Sequence, residues 1–323
     1  MKPFLWAVGA ALAVAAAPVA MGQVPGRPVT VVVPVGPGGG TDLLARELAK
    51  KLADTWGQSV VVENRSGAAG LVGAQSVIRS APDGNTLLFT HDGVITATPI
   101  LYKRPDFDPA KQLVPLTLVA TVPYVAVIHP SVQAKNIPEL IALIKQKNAR
   151  KETFGFATSA LGSADHLTGE QFRIAAGVDM LIVPYKSAAP AMMDVIAGHL
   201  QLGFFTIVST QPHIKAGSLR AVGITSRERS KLFPELQTVA ETLPGFGGGT
   251  WYGLFAPAGT PAGTVEKLSE AIRQAAKAPD IGDYMLKNGF ELATSTPAEF
   301  AEFIRKDSAR VAEIIRRANV RVE

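Results

Sequence analysis

The chain has 323 residues, 47% of them hydrophobic and 18% charged, with a formal net charge of +5 and no cysteine. That length suggests about two domains, and the composition excludes a disordered or collagen-like chain. The absence of cysteine excludes a disulfide scaffold, a zinc–thiolate site, an iron–sulfur cluster and a cysteine nucleophile, and the weak, scattered charge gives no reason to expect nucleic acid.

The chain opens with Lys2, then an apolar, alanine-rich run and the small-x-small triplet Ala20-Met21-Gly22. This reads as a signal peptide over residues 1–22, with the mature chain starting at Gln23 and exported, as into a bacterial periplasm. The run is short and alanine-heavy for a membrane anchor, and no cysteine follows it to carry a lipid. Val29 to Val33 is a β-branched run, as in a strand buried on both faces. The turn Gly36-Pro37-Gly38-Gly39-Gly40 follows it. Residues 41–56 then read as a helix with Leu44, Leu48 and Leu52 on one face, capped by Thr41 and ended by Gly57. Further strands are expected at residues 59–63, 86–90, 116–120, 124–129, 153–158, 180–184, 201–206 and 219–225. A helix opens at the capping pattern Asn136-Ile137-Pro138-Glu139, and another lies between the strands at 153–158 and 180–184. Thr260-Pro261 starts a helix carrying Val265, Leu268 and Ile272. Thr296-Pro297-Ala298-Glu299 is a capping box for a terminal helix with Phe300, Phe303 and Ile304 inward. This alternation predicts an α/β architecture with mostly parallel sheets.

Two sequence positions read as crossings between domains, Thr121-Val122-Pro123-Tyr124 and Gly223-Ile224-Thr225-Ser226. Residues 23–123 and 226–323 would then form one discontinuous lobe and residues 124–225 the other. Paired strand-like connections make a hinge with ligand space between the lobes.

Two strand–loop–helix units carry the chemistry. In the first, Gly36 to Asp42, glycines open the backbone at a helix N-terminus, where unpaired N–H groups and the helix dipole favour an anion. No lysine follows Gly40, so it is not a Walker A loop, and Thr41 stands where a dinucleotide fingerprint has its third glycine. Asp42 in the first turn would repel an anion, which the amides would have to offset. A plain tight turn is the alternative. In the second, Thr158-Ser159-Ala160-Leu161-Gly162-Ser163, hydroxyls and amides could clamp another polar group, or Ser163 could be no more than a cap. Both loops follow strand carboxyl ends, where α/β sheets bind ligands. A hydrolase is disfavoured: there is no Gly-x-Ser-x-Gly, and Ser163, Asp165 and His166 point apart on one helical turn. The histidines at 91, 129, 166, 199 and 213 have no metal-site spacing, so no metal or cofactor is expected. Glu63-Asn64-Arg65-Ser66-Gly67 reads as a surface turn, and Phe204, Phe205, Trp251 and Tyr252 mainly as core.

The run Val33-Pro34-Val35-Gly36-Pro37-Gly38-Gly39-Gly40-Thr41-Asp42, with Val61-Val62-Glu63-Asn64-Arg65, Ala81-Pro82-Asp83-Gly84-Asn85-Thr86, Val183-Pro184-Tyr185-Lys186, Pro212-His213-Ile214-Lys215-Ala216-Gly217 and Trp251-Tyr252-Gly253-Leu254-Phe255-Ala256-Pro257, resembles the Bug-type extracytoplasmic solute-binding proteins of tripartite tricarboxylate transporters. The resemblance covers essentially the whole mature chain. It implies a periplasmic-binding-protein fold of type II-like kind, whose two lobes, joined by two hinge strands, close on a small carboxylate held by one loop from each. The ligand-binding residues it implies are Gly36, Pro37, Gly38, Gly39, Gly40, Thr41 and Asp42, then Thr158, Ser159, Ala160 and Ser163. Thr90 and Asp92 join them, in Thr90-His91-Asp92-Gly93 where the family often has Gly-Thr-Ser-Gly. So do Phe205 and Thr206, in Phe204-Phe205-Thr206 where the family commonly has Phe-Asp-Asn. Phe205 in place of that aspartate predicts a more apolar cleft and a dicarboxylate or aromatic carboxylate ligand. The partners implied are that ligand and membrane transporter subunits, with the protein itself a monomer. A sensor subunit binding the same ligands, or an exported enzyme on the same architecture, are the rival readings.

Overall fold

The computed structural model describes residues 27–230 and 233–322, so the expected leader at 1–22 lies outside the described residues. The chain begins β1 (Val29–Val33), α1 (Gly40–Trp56), β2 (Val60–Asn64), α2 (Leu71–Ile78), β3 (Thr86–His91). A π-type turn at Gly93–Ala97 leads to α3 (Thr98–Leu101), α4 (Pro109–Gln112) and the long strand β4 (Leu113–Val122). Next come β5 (Tyr124–Ile128), α5 (Ile137–Ala149), β6 (Gly155–Thr158), α6 (Ala164–Ala176), β7 (Leu181–Pro184) and α7 (Ala188–Ile196). They are followed by β8 (Leu202–Thr206), α8 (Ile207–Lys215) and β9 (Arg220–Ile224). The last elements are β10 (Thr250–Pro257), α9 (Ala262–Ala276), α10 (Pro279–Lys287), β11 (Glu291–Leu292) and α11 (Pro297–Ala318).

These elements build two sheets. The first has six strands in the order β11-β4-β10-β3-β1-β2, the second five in the order β7-β6-β8-β5-β9. β1 is central to the parallel part of the first sheet, with Val31 opposite Val62 of β2 on one side and Leu87 of β3 on the other. A strand hydrogen-bonded on both edges and packed on both faces has no wet side, which is why it reads as unbroken Val and Thr. α1 lays Leu44, Leu48 and Leu52 on one face of this sheet, with Leu268 and Ile272 of α9 in the same cluster. The opposite face is closed by α2 and by Phe300 of α11. In the second sheet Phe156, Phe172 and Phe204 fill one face and Val127, Val195 and Phe205 the other.

The sheets are mixed rather than mostly parallel. β10 runs antiparallel to both β3 and β4, and β5 runs antiparallel to both β8 and β9. The strands at the crossing cause this. β4 passes through Pro123 into β5 of the other sheet, and β10 brings the chain back beside β4, with Thr250 opposite Val122. Thr225 bolts the crossing together: its hydroxyl donates to the carbonyl of Gly248 at 3.0 Å and accepts from the Tyr124 amide at 2.8 Å.

The second crossing was expected at residues 223–226, and the structure moves it to Gly248-Gly249. The described residues of 226–249 pack mainly on the second lobe, although the Ser230 hydroxyl reaches Glu291 of β11 at 2.6 Å. Val239 and Phe246 sit in the core of the second sheet, and Thr238 bridges to Ile224. Turn-rich sequence without strand periodicity hides this, because the segment is held by scattered buried side chains rather than by a regular element. Gly249 has φ +114°, and a Cβ there would lie 2.4 Å from the Val122 carbonyl oxygen. The close approach of the two crossing strands therefore needs glycine.

α11 starts with the expected capping box, with Thr296 accepting from Glu299 N–H and Glu299 accepting from Thr296. The helix spans both lobes. Its Asp307 accepts from the Trp251 indole at 2.8 Å, while Val311, Ile314 and Ile315 pack with Ala97 of the first lobe and Leu167 of the second.

Candidate functional site

The glycine turn before α1 is shaped by Asp42, which is buried in the first helical turn. Its carboxylate accepts from the Gly38 amide at 2.9 Å, from Arg46 Nε at 3.1 Å and from Asn64 Nδ2 at 2.9 Å. Arg46 also reaches the second carboxylate oxygen at 2.9 Å. Burial works against ionisation, but Arg46, the Gly38 amide and Asn64 outweigh it and hold this carboxyl below the usual aspartate value. The negative charge expected to repel an anion is thus already matched by Arg46. Gly38 turns at φ +88°, and no side chain caps α1 at Gly39, so the first helical amides stay available.

The second loop repeats the device. Asp165, in the first turn of α6, accepts from Thr158 Oγ at 2.8 Å and from the amide and hydroxyl of Ser159, both at 2.6 Å. Gly162 turns at φ +79° and its amide donates to His166 Nδ1 at 3.0 Å. Ser163 caps the helix by accepting from the His166 amide and also donates to the Ala160 carbonyl at 2.7 Å. Each lobe therefore offers a strand end, a loop stapled from behind by an aspartate, and a helix N-terminus.

Both loops face one cleft of about 610 Å³. Gly36 and Thr41 line it from the first lobe and Ser159 to Asp165 from the second, with Tyr124 and Thr250 at the crossing. Tyr252 also lines it. Its ring stacks on Phe89 at 6.3 Å, and its hydroxyl points at the start of α1, 3.2 Å from where a Gly40 Cβ would be. Burial, with Asp92 nearby, raises the pKa of Tyr252 above the ordinary tyrosine value. Burial raises Tyr124 still more clearly, helped by the charges of Asp165 and Asp92. Both hydroxyls therefore remain protonated donors across the neutral range. The wall between β2 and α2 is strained: Gly67, Ala68, Ala69 and Gly70 all have positive φ, Ala69 at 53°. An alanine held there costs on the order of 1–3 kcal/mol, a pattern typical of ligand sites. A second cavity, of about 660 Å³, lies along the crossing between Thr121 and Leu292, and neither loop lines it.

The structure divides the expected residues. Gly36, Thr41, Ser159, Ala160 and Ser163 line the cleft. Pro37, Gly38, Gly39 and Gly40 shape the first turn without lining it, and the Gly38 amide is already committed to Asp42. Asp42 and Thr158 are buried supports of the loops. Thr90 is buried, and Asp92 lies behind the wall, accepting from Thr250 Oγ at 2.7 Å. Phe205 is corrected: it is a core residue, 2% exposed, packed with Val125, Val127 and Ala191. Successive β8 side chains alternate faces, and helices cover both, so neither Phe204 nor Phe205 reaches the strand-end cleft. Thr206 stands at the N-cap position of α8 without a side-chain cap bond, its hydroxyl 3.0 Å from the Ser209 hydroxyl, and does not line the cleft either. The apolar lining comes instead from Ala68, Ala69, Ala97, Leu101 and Leu161. Sequence reasoning missed His91, Tyr124, Tyr252 and the 67–70 wall. The glycine-flanked Gly67-Ala68-Ala69-Gly70 was the one local signal available, since only tertiary packing turns the others inward.

The family model described as the tripartite tricarboxylate transporter family receptor matches residues 44–320. Protein BugT of Bordetella pertussis is 34% identical over 327 residues, covering 100% of this chain and 99% of that protein. The solved structure of the periplasmic binding protein BugD is 36% identical, with a TM-score of 0.72 over 93% of this chain and 100% of that one. The Rhodopseudomonas palustris protein Rpa4515, solved with adipate, is 30% identical, with a TM-score of 0.75 over 92% of this chain and 99% of that one. The fold and cleft define a two-lobed solute-binding protein. The chain belongs to the receptor family of tripartite tricarboxylate transporters.

Proposed function

We propose that the protein captures a small carboxylate in the 610 Å³ cleft and presents it, in a closed form, to membrane transporter subunits. The observation that carries this reading is the pair of aspartate-stapled loops, one per lobe, facing a single cleft. Each brings a helix N-terminus and a small-residue loop to one point, with the first-turn amides rather than the committed loop hydroxyls as the donors, a chemistry that suits a carboxylate without a bound cation. The adipate held by the 30%-identical neighbour supports the ligand class. Closure is a rotation about the paired strands at Pro123 and Gly249, driven only by the ligand's preference for the closed form. The lobes are residues 27–123 with 250–322, and 124–249. Both loops come from one chain, so the monomer is the working unit. The protein binds without turnover, and its leader directs it to the periplasm, the compartment of its 36%-identical neighbour BugD.

A thermal-unfolding panel of mono-, di- and tricarboxylates, aliphatic and aromatic, tests this. A true ligand at a hundred times its dissociation constant stabilises the protein by about 2.7 kcal/mol. Silence across the panel, or conversion of any member to product, overturns the reading.

A further inference from the structure

Among the described residues, the cleft lining contains no lysine and no arginine, and His91 is the one lining side chain able to carry a positive charge. Arg46, the cation nearest the first loop, is committed to Asp42 and Asn64. His91 ends β3 directly opposite Tyr252 of β10, which puts both side chains on the same face at the cleft. Its Nδ1 accepts the Gly93 amide at 3.1 Å. A backbone N–H can only donate, so the neutral ring carries its proton on Nε2. Nε2 has no hydrogen-bond partner among the described residues, and the side chain is 30% exposed in the cleft wall. The ring thus presents a free N–H donor to the ligand.

The ionisable groups around it are acidic or phenolic. Asp92 lies on the same segment, with Oδ1 3.8 Å from Nδ1; Tyr252 stands opposite it on β10, and Tyr124 of β5 and Asp165 of α6 line the same cleft. A single carboxylate can be held by amides and hydroxyls. A second carboxylate enters a cleft whose fixed side-chain charges are negative, and only a proton on His91 offsets it. Protonation turns Nδ1 from acceptor to donor, so it must release the Gly93 amide, with Asp92 Oδ1 3.8 Å away as an acceptor. The ring is thus anchored to the wall in either state.

We propose that His91 is the specificity-determining residue of the cleft: it faces the far carboxylate of a dicarboxylate and takes up a proton when that ligand binds. The site then prefers dicarboxylates to monocarboxylates of matched length, and because the dicarboxylate binds with a proton, the preference grows on acidification from pH 8 to pH 6. This rests on the carboxylate reading above and adds the ligand's second charge.

Isothermal titration with three matched pairs, succinate and butanoate, adipate and hexanoate, terephthalate and benzoate, tests it. Measurements at pH 8 and pH 6, in buffers of different ionisation enthalpy, read affinity and proton uptake together. The tightest-binding dicarboxylate gains about threefold or more in affinity on acidification, with net proton uptake, while its monocarboxylate partner changes little. His91→Gln keeps a donor but cannot titrate, so it abolishes the gain and the uptake. His91→Ala weakens the dicarboxylate about tenfold or more and spares the monocarboxylate. Thermal unfolding confirms that each variant is folded. An unchanged pH response in His91→Gln, or equal losses for both acids in His91→Ala, overturns the proposal for His91. Binding of monocarboxylates alone overturns it and leaves the carboxylate reading standing. Binding of none of the six acids overturns the proposal for His91, and silence across the wider thermal-unfolding panel overturns the carboxylate reading as well.

Discussion

Two aspartates and two histidines do most of the local organising, and each works through its hydrogen bonds rather than through its charge alone. Asp42 and Asp165 each stand in the first turn of a helix and gather the donors of their own loops. His166 does for the second loop what His91 does for the cleft wall, accepting a glycine amide at Nδ1. His166 is buried; burial lowers its pKa and outweighs the opposing pull of Glu170 and Asp165. In the window between its folded value and the ordinary value near 6.5, the unfolded chain therefore binds more protons than the folded one. Stability is complete above about pH 6.5 and is lost as pH falls toward the folded value. Denaturant melts at pH 7.5, 6.5 and 5.5 check this. His166→Gln, which cannot titrate, lowers stability at pH 7.5 by about 1 kcal/mol and flattens the decline. An unaltered slope in that variant removes His166 as the source.

At the level of single elements, the helix signals in the sequence were legible because they are local. Asn136 accepts from the Glu139 amide at 2.9 Å, as the pattern predicted, and Gly57 ends α1 in the left-handed region. The first strand–turn–helix unit was legible for the same reason. The loop between β6 and α6 was legible in place but not in construction: Asp165 looked like a failed triad member and is instead the staple. Asp165→Ala strands the Thr158 hydroxyl and both Ser159 donors. Unpaired buried donors of this kind cost about 1–3 kcal/mol each, partly relieved by water at the cleft. The expected outcome is a loss of about 2 kcal/mol in urea unfolding, accompanied by loss of ligand binding. Stability within about 0.5 kcal/mol of the native protein counts against the staple.

The whole molecule depends on how closely the two crossing strands approach. Thr225 ties them, and Gly249 makes room for the Val122 carbonyl. Gly249→Ala would place a methyl 2.4 Å from that oxygen at a φ of +114°. The strands must then separate, and the variant is expected to lose about 2 kcal/mol or more in denaturant unfolding, with weaker ligand binding because the two loops no longer meet in register. Gly263→Ala provides the comparison: it lies in α9 with nothing within 4 Å, and helix propensity makes it neutral to slightly stabilising. Equal effects of the two substitutions would show that the crossing tolerates an added methyl. α11 adds a second constraint, since Arg310 donates to Gln171 of the second lobe at 3.0 Å while Phe300 anchors the helix on the first.

The strand–loop–helix alternation of both lobes, the caps at Asn136 and Thr296, the two glycine- and hydroxyl-bearing loops and the two-lobe architecture were legible in the sequence alone, whereas α1 starts at Gly39 without the side-chain cap expected from Thr41, and β10 and α10 carried no local signal. The legible features are written in near neighbours, where periodicity and backbone chemistry act directly. Only the tertiary structure decided that Phe233, Val239 and Phe246 pack on the second lobe, that Phe205 lies in a core rather than at the ligand, and that His91, Tyr124 and Tyr252 line one cleft. Those outcomes depend on which buried faces find each other over long sequence separations, and no local pattern encodes that choice.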